Sequence, residues 1–342
     1  IRGTDRYYDK TASSAKGTTS DTTFKDGIKV LVDGVEQTTG ITGTIEEARV
    51  LTEQRMANGT SSQVEYGVEY KITLTGITWT SANQVKIVIP EGAMIDTSGN
   101  GNEATQIIVF NTLSSTADED SATSTFLGIP NIQRENIENV TFLSSLAEVP
   151  EGMAGPYDVS AMQDESILAW YTQDGSPYTV YIASNHKIYA NQNASNLFNS
   201  IGSSGDCTKT EVMTNLGLLN VNNVTNMDRM FLYCGYTSMT GLDLEDNFDT
   251  SNVTSMSNMF LDCGADTLDL GGKFDTSNVT TMYGMFDSCK VSRLDLRDKF
   301  DTSKVIIMEN MFAYCGSESM SSLDLGDKFD TSNVTNMSSM FE

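Results

Sequence analysis

The heptapeptide Phe-Asp-Thr-Ser-Asn-Val-Thr begins at Phe248 and returns unchanged at Phe274 and Phe329, with the variant Phe-Asp-Thr-Ser-Lys-Val-Ile at Phe300. Successive phenylalanines stand 26, 26 and 29 residues apart, and Val224 and Val253 place an earlier unit 29 residues upstream. A unit of ~20–29 residues cannot cover its own apolar side and must share it with a stacked neighbour. Repetition is how this half of the chain makes a core.

Two patterns fill each unit. Leu-Asp-Leu recurs from Leu242, Leu268, Leu294 and Leu323, and the alternation puts leucines on one face of a short strand and Asp243, Asp269, Asp295 and Asp324 on the other. One such strand per unit is expected in a parallel sheet. Val253, Met256, Met259, Phe260 and Cys263 then follow at steps of three, three, one and three, the spacing of one helical face. A short helix is therefore expected after each strand, with Asp249, Asp275, Asp301 and Asp330 as favourable charges at its N-terminus. Asn223, Asn252, Asn278 and Asn333, with Thr225, Thr254, Thr280 and Thr335, form columns suited to satisfying turn backbone; Lys304 and Ile306 interrupt them.

The motif LDLxxxFDTSNVTxMxxMFxxC resembles the leucine-rich repeat of BspA-like bacterial surface proteins, also described in mycoplasma and lactobacillus surface proteins. The resemblance implies an α/β solenoid with one short parallel strand and one short helix per repeat. It further implies a secreted or cell-surface bacterial protein that adheres to host or bacterial surface proteins. Where the common leucine-rich pattern has a buried Asn, this chain has Asn247, Lys273, Lys299 and Lys328, so a different turn is expected.

Upstream, residues 1–112 alternate polar and apolar side chains, with candidate strands at 27–32, 48–54, 70–75, 85–89 and 106–111 between turn signals such as Asn58-Gly59. The number and shortness of these strands suggest an all-β sandwich. The stretch VKIVIPEGAMIDTSGNGNEA, 85–104, resembles bacterial immunoglobulin-like modules. Residues 113–125 carry almost nothing apolar beyond Leu113 and read as a solvated linker. Residues 126–206 form a mixed region, with a β-hairpin across Asp174-Gly175, that caps the repeats of 207–342. The chain opens on Ile1 and stops within a repeat at Glu342, which reads as a piece of a longer protein.

The 342 residues carry 21 Lys plus Arg against 46 Asp plus Glu, a net charge of -25. Such a surface repels phosphate backbones and anionic lipid heads, and no apolar run approaches the ~18 residues of a membrane span. Nucleic acid and membrane insertion are accordingly not expected. A single histidine, His186, stands without a nucleophile motif around it and reads as a surface loop residue, so catalysis is not expected.

Cys234, Cys263, Cys289 and Cys315 each follow a Met-Phe pair by three residues; a buried column of thiols is the plain reading, metal ligation or disulfides the alternative. Asp96, Ser98 and Asn100 occupy the first oxygen positions of a calcium loop, but Ile107 takes the place of its closing Glu, so an Asp/Asn turn competes with bound calcium, the one cofactor in view. The stacked carboxylates Asp243, Asp269, Asp295 and Asp324 need an offset from local hydrogen bonds, a cation or a basic partner. Two function classes follow: a non-catalytic adhesion or protein-binding surface protein, and a structural subunit that self-assembles into a surface layer or filament.

Overall fold

The computed structural model describes residues 2–3, 17–19, 29–37, 42–57, 60–75, 84–89, 105–237, 239–316 and 320–342, the backbone alone at 2–3, 17–19, 42–57, 60–75 and 105–110. The chain divides into two compact units, Ile1–Val109 and Phe110–Glu342.

In the first unit Thr42–Ala57 and Thr60–Thr75 pair antiparallel along their whole length, from Thr42 opposite Thr75 to Ala57 opposite Thr60. Gly17–Thr19 and Arg2–Gly3 flank this pair. A second sheet runs Val35–Glu36, Lys29–Val32, Gln84–Ile89, Thr105–Asn111. The expected immunoglobulin-like sandwich of short strands is thus corrected: 48–54 and 70–75 are parts of two strands of 16 residues each. Neither run contains a proline, and the only Asn-Gly step from 42 to 75 lies between them, so neither strand is broken, although their pairing shifts register between Glu47 and Arg49 and between Leu51 and Thr52.

The second unit opens with a five-stranded sheet ordered Ala154–Asp158, Leu168–Tyr171, Tyr178–Ala183, Ile137–Leu143, Met213–Thr214. Leu168–Tyr171 and Tyr178–Ala183 form the antiparallel hairpin, while Ile137–Leu143 runs parallel to its two neighbours. Beyond it the repeats contribute Gly241–Asp243, Thr267–Asp269, Arg293–Asp295 and Ser322–Asp324 to a parallel sheet, Leu242 opposite Leu268 and Leu294 opposite Leu323.

No α-helix occurs among the described residues, which corrects the α/β leucine-rich-repeat solenoid with a helix in every unit. The segments read as helices are runs of turns. In one of them Met259 and Leu261 donate their N–H groups locally to the carbonyls of Met256 and Asn258, whereas Phe260 and Asp262 donate to Met285 and Asp287 of the next unit. In a helix each N–H beyond the first turn would bond within its own segment, to the carbonyl four residues back. Left-handed residues two before and two after the stacked phenylalanine prevent that: Asn258 and Asp262, Gly284 and Ser288, Asn310 and Tyr314 all have φ between 52° and 57°. Isolated parallel bridges continue the stack from Asn193 through Asn226, Ser255, Thr281 and Ile307 to Asn336.

The apolar side chains meet inside as intended by their spacing, although on turns. Phe198, Phe231, Phe260, Phe286, Phe312 and Phe341 form one column, with ring centroids 5.3–5.5 Å apart. Met256, Met259, Met282, Met285, Met308 and Met311 are fully buried beside it, each side chain contributing ~1.5–3 kcal/mol. Polar columns run alongside. Asn252, Asn278 and Asn333 donate to carbonyls of the preceding unit at 2.7–2.8 Å, and Thr254 and Thr280 do so at 3.0–3.1 Å. Where the pattern breaks, Lys304 Nζ binds Asn278 Oδ1 at 2.7 Å and the Ile306 N–H still reaches the Thr280 carbonyl.

The segment 113–125 does not hang free as a linker. Leu113 and Thr116 are buried in the second unit, Thr116 donates to the Ser195 carbonyl, and Asn196 and Asn199 donate to the carbonyls of Ala117 and Asp120. It covers the first turn run, whose open edge is polar backbone rather than apolar surface; a polar cover therefore suffices.

Candidate functional site

The leucine-to-aspartate alternation turns Asp243, Asp269, Asp295 and Asp324 outward, and all four are exposed. In every repeat the aspartate Oδ1 accepts the N–H two residues on: Glu245 at 2.7 Å, Gly271 at 2.9 Å, Arg297 at 3.0 Å and Gly326 at 3.0 Å. Each carboxylate is thereby fixed at the strand's end by an Asx turn. Register sets Asp243 beside Asp269 and Asp295 beside Asp324. The repulsion of this file is offset by the turn N–H groups and by Arg297, whose Nη2 meets Asp269 Oδ1 at 2.7 Å.

A groove of about 660 Å³ opens over these strands. Glu211, Asp243, Glu245, Asp269 and Asp295 supply carboxylates, Arg293 and Arg297 the cations, and Met213, Leu242 and Leu268 an apolar floor. An open, charged surface of this kind can attract and hold a basic partner.

The remaining expected sites fall elsewhere. Cys234, Cys263 and Cys289 are fully buried and Cys315 partly so, all as free thiols in one column. Burial holds Cys234 well above the ordinary thiol range; the hydrogen bond to Cys263, then burial, do the same for Cys289. Burial pushes Cys315 up to about 12 and Cys207 up to about 11. Cys263 goes the other way: its hydrogen bond with Cys289 holds it below the ordinary thiol range despite its burial. The four raised thiols stay protonated and are poor nucleophiles and poor ligands. Asp96, Ser98 and Asn100 lie outside the described residues. Asp249, Asp275, Asp301 and Asp330 cap turns instead of helices, accepting the N–H of Ser251, Ser277, Ser303 and Ser332.

Two structural centres have weak sequence signals. Thr250, Thr276 and Thr302, the threonines of the heptapeptide, are fully buried and donate to the carbonyls of Asp275, Asp301 and Asp330 at 2.8–2.9 Å. Their invariance from unit to unit was the available clue. Arg134, fully buried, has none. Its Nη1 donates to the carbonyls of Asn196, Leu197 and Asn199, its Nη2 pairs with Glu119, and its guanidinium lies 5.3 Å from the Phe126 ring centroid.

Fold and surface together define a stacked array of strand-and-turn repeats with a polar cap at its first rung and an acidic strand face. Within it, residues 193–324 and 298–342 match the family described as Mycoplasma protein of unknown function, DUF285, which points to a bacterial protein. No curated protein and no solved structure matches the chain.

Proposed function

We propose that this chain is a non-catalytic bacterial cell-surface protein whose repeat array binds other proteins through its strand face. The observation that carries the reading is the file of exposed carboxylates, Asp243, Asp269, Asp295 and Asp324, held in one orientation beside an open groove. Rigid, repeated charge favours fast capture of basic partners and discriminates against acidic ones. The resemblance of the repeat to bacterial surface proteins supports the location and the adhesive role, and the match to a Mycoplasma family of unknown function supports the bacterial source alone.

The test compares basic and acidic extracellular proteins of similar size over immobilised full chain, with a variant carrying Asp243→Asn, Asp269→Asn, Asp295→Asn and Asp324→Asn. Selective binding of the basic proteins is expected, weakened at least ~10-fold in the variant, a loss of ~1.4 kcal/mol. Binding that ignores partner charge, or survives the four substitutions intact, overturns the reading.

A further inference from the structure

A second concavity, of about 600 Å³, is lined by residues other than those of the groove over the acidic file. Its cationic lining comes from two places in the sequence: Lys187 in the bend after Tyr178–Ala183, beside His186, and Lys273 in the turn before Phe274. Among the described residues no hydrogen bond or ion pair engages the ammonium groups of Lys187 and Lys273. Against a net charge of -25, two lysines to one carboxylate on one hollow is a local reversal of sign. One carboxylate reaches the same lining, Asp249, and its Oδ1 is occupied by the Ser251 N–H at 3.1 Å.

The uncharged lining narrows the ligand further. Asn185, Asn222 and Asn247 bring exposed amides, which can both donate and accept. Asn185 Oδ1 is already used by the Leu146 N–H at 3.2 Å, so its Nδ2 is the group left to face the hollow. Leu218, 37% exposed, adds an apolar surface among them. A bare inorganic anion would use the cations and waste the amides and the leucine. A neutral sugar would do the reverse.

We propose that this hollow binds an anionic saccharide, with Lys187 and Lys273 on its carboxylate or sulfate, the asparagine amides on its hydroxyls and Leu218 against its carbon–hydrogen face. Ion pairing to an exposed lysine is weak, so the amides have to supply the rest and the affinity is modest. This assignment is independent of the acidic face, which is made of other residues.

The test is titration calorimetry of the full chain with glucuronic acid, a sulfated glucosamine, their neutral parent sugars and inorganic sulfate, each also against Lys187→Met with Lys273→Met. Both lysines are exposed, and an unchanged near-ultraviolet spectrum checks that the variant folds. Saturable binding of at least one acidic sugar is expected, ~10-fold tighter than its neutral parent and than inorganic sulfate, and lost in the double variant. A preference for the carboxylate or for the sulfate sugar identifies the acid group recognised. Equal binding of neutral sugars overturns the role of the lysines. Equal binding of inorganic sulfate overturns that of the amides, and no saturation by either acidic sugar overturns the proposal.

Discussion

At the scale of the residue, the buried threonines show how little tolerance the stack has for a missing hydrogen bond. Thr250 Oγ1 both donates to the Asp275 carbonyl at 2.9 Å and accepts the Asp275 N–H at 2.7 Å, at zero exposure. Thr250→Val keeps the shape and orphans both groups, so a loss of ~1–3 kcal/mol is expected in urea unfolding. Thr254→Val, at an exposed column, should cost less than half as much; equal costs would mean that burial does not set the penalty. Charge acts in the opposite sense at Asp287. Burial holds its carboxyl above the usual range, although a hydrogen bond from Ser288 pulls the other way. A raised folded pKa in an acid means that ionisation costs stability above that pKa and the cost disappears as pH falls below it. Asp287→Asn is therefore expected to raise Tm at neutral pH, with the gain fading in acid. A gain that persists unchanged at low pH would point to packing instead.

At the scale of the element, the alternation of Leu-Asp-Leu was enough to place a strand, because period two is compatible with little else. The apolar spacing after it was not enough to choose between helix and turns. Steps of three and four bring side chains to one side in a helix, and the same steps do so in consecutive turns. What decides is the left-handed pair at Asn258 and Asp262 and its counterparts; the Asn, Asp, Ser and Gly residues at most of those places are the signal that outweighs the methionines, while Arg229, Tyr233 and Tyr314 take the same conformation without giving it. The segment 113–125 follows a related rule: polarity signals solvent only if the surface to be covered is apolar, and here it is backbone. Far-ultraviolet circular dichroism should accordingly lack the paired minima of α-helix, and their presence would restore the helical reading. Close stacking of turns is tested at Gly264, where a Cβ would stand 2.0 Å from the Gly235 carbonyl oxygen in the unit before. Backbone cannot step aside as a side chain can. Gly264→Ala should cost ~2 kcal/mol or more by calorimetric Tm, as an overpacked core site does, and a silent substitution would show that the units are spaced more loosely.

At the scale of the whole molecule, an array in which each unit touches only its neighbours is as stable as its weakest end allows. The first rung is closed by one buried cation. Arg134 gathers the carbonyls of Asn196, Leu197 and Asn199, and Glu119 holds the guanidinium while also accepting the N–H groups of Leu127 and Gly128. Arg134→Met fills much of the volume but leaves the Glu119 carboxylate without its cation and the Leu197 and Asn199 carbonyls without a donor, a loss of ~3–5 kcal/mol for breaking a buried pair. Nearest-neighbour coupling predicts where that loss appears. The Phe198 and Ser200 N–H groups, which cross to Met230 and Leu232 at 2.8 and 2.7 Å, should lose hydrogen-exchange protection first. Those of Phe260 and Phe286, two or more units inward, should keep theirs, since their partners Met285 and Met311 lie on rungs the cap does not touch. Protection that falls together along the whole column would mean that the rungs unfold as one block, and that the repeats, however alike in sequence, are not separable units of stability.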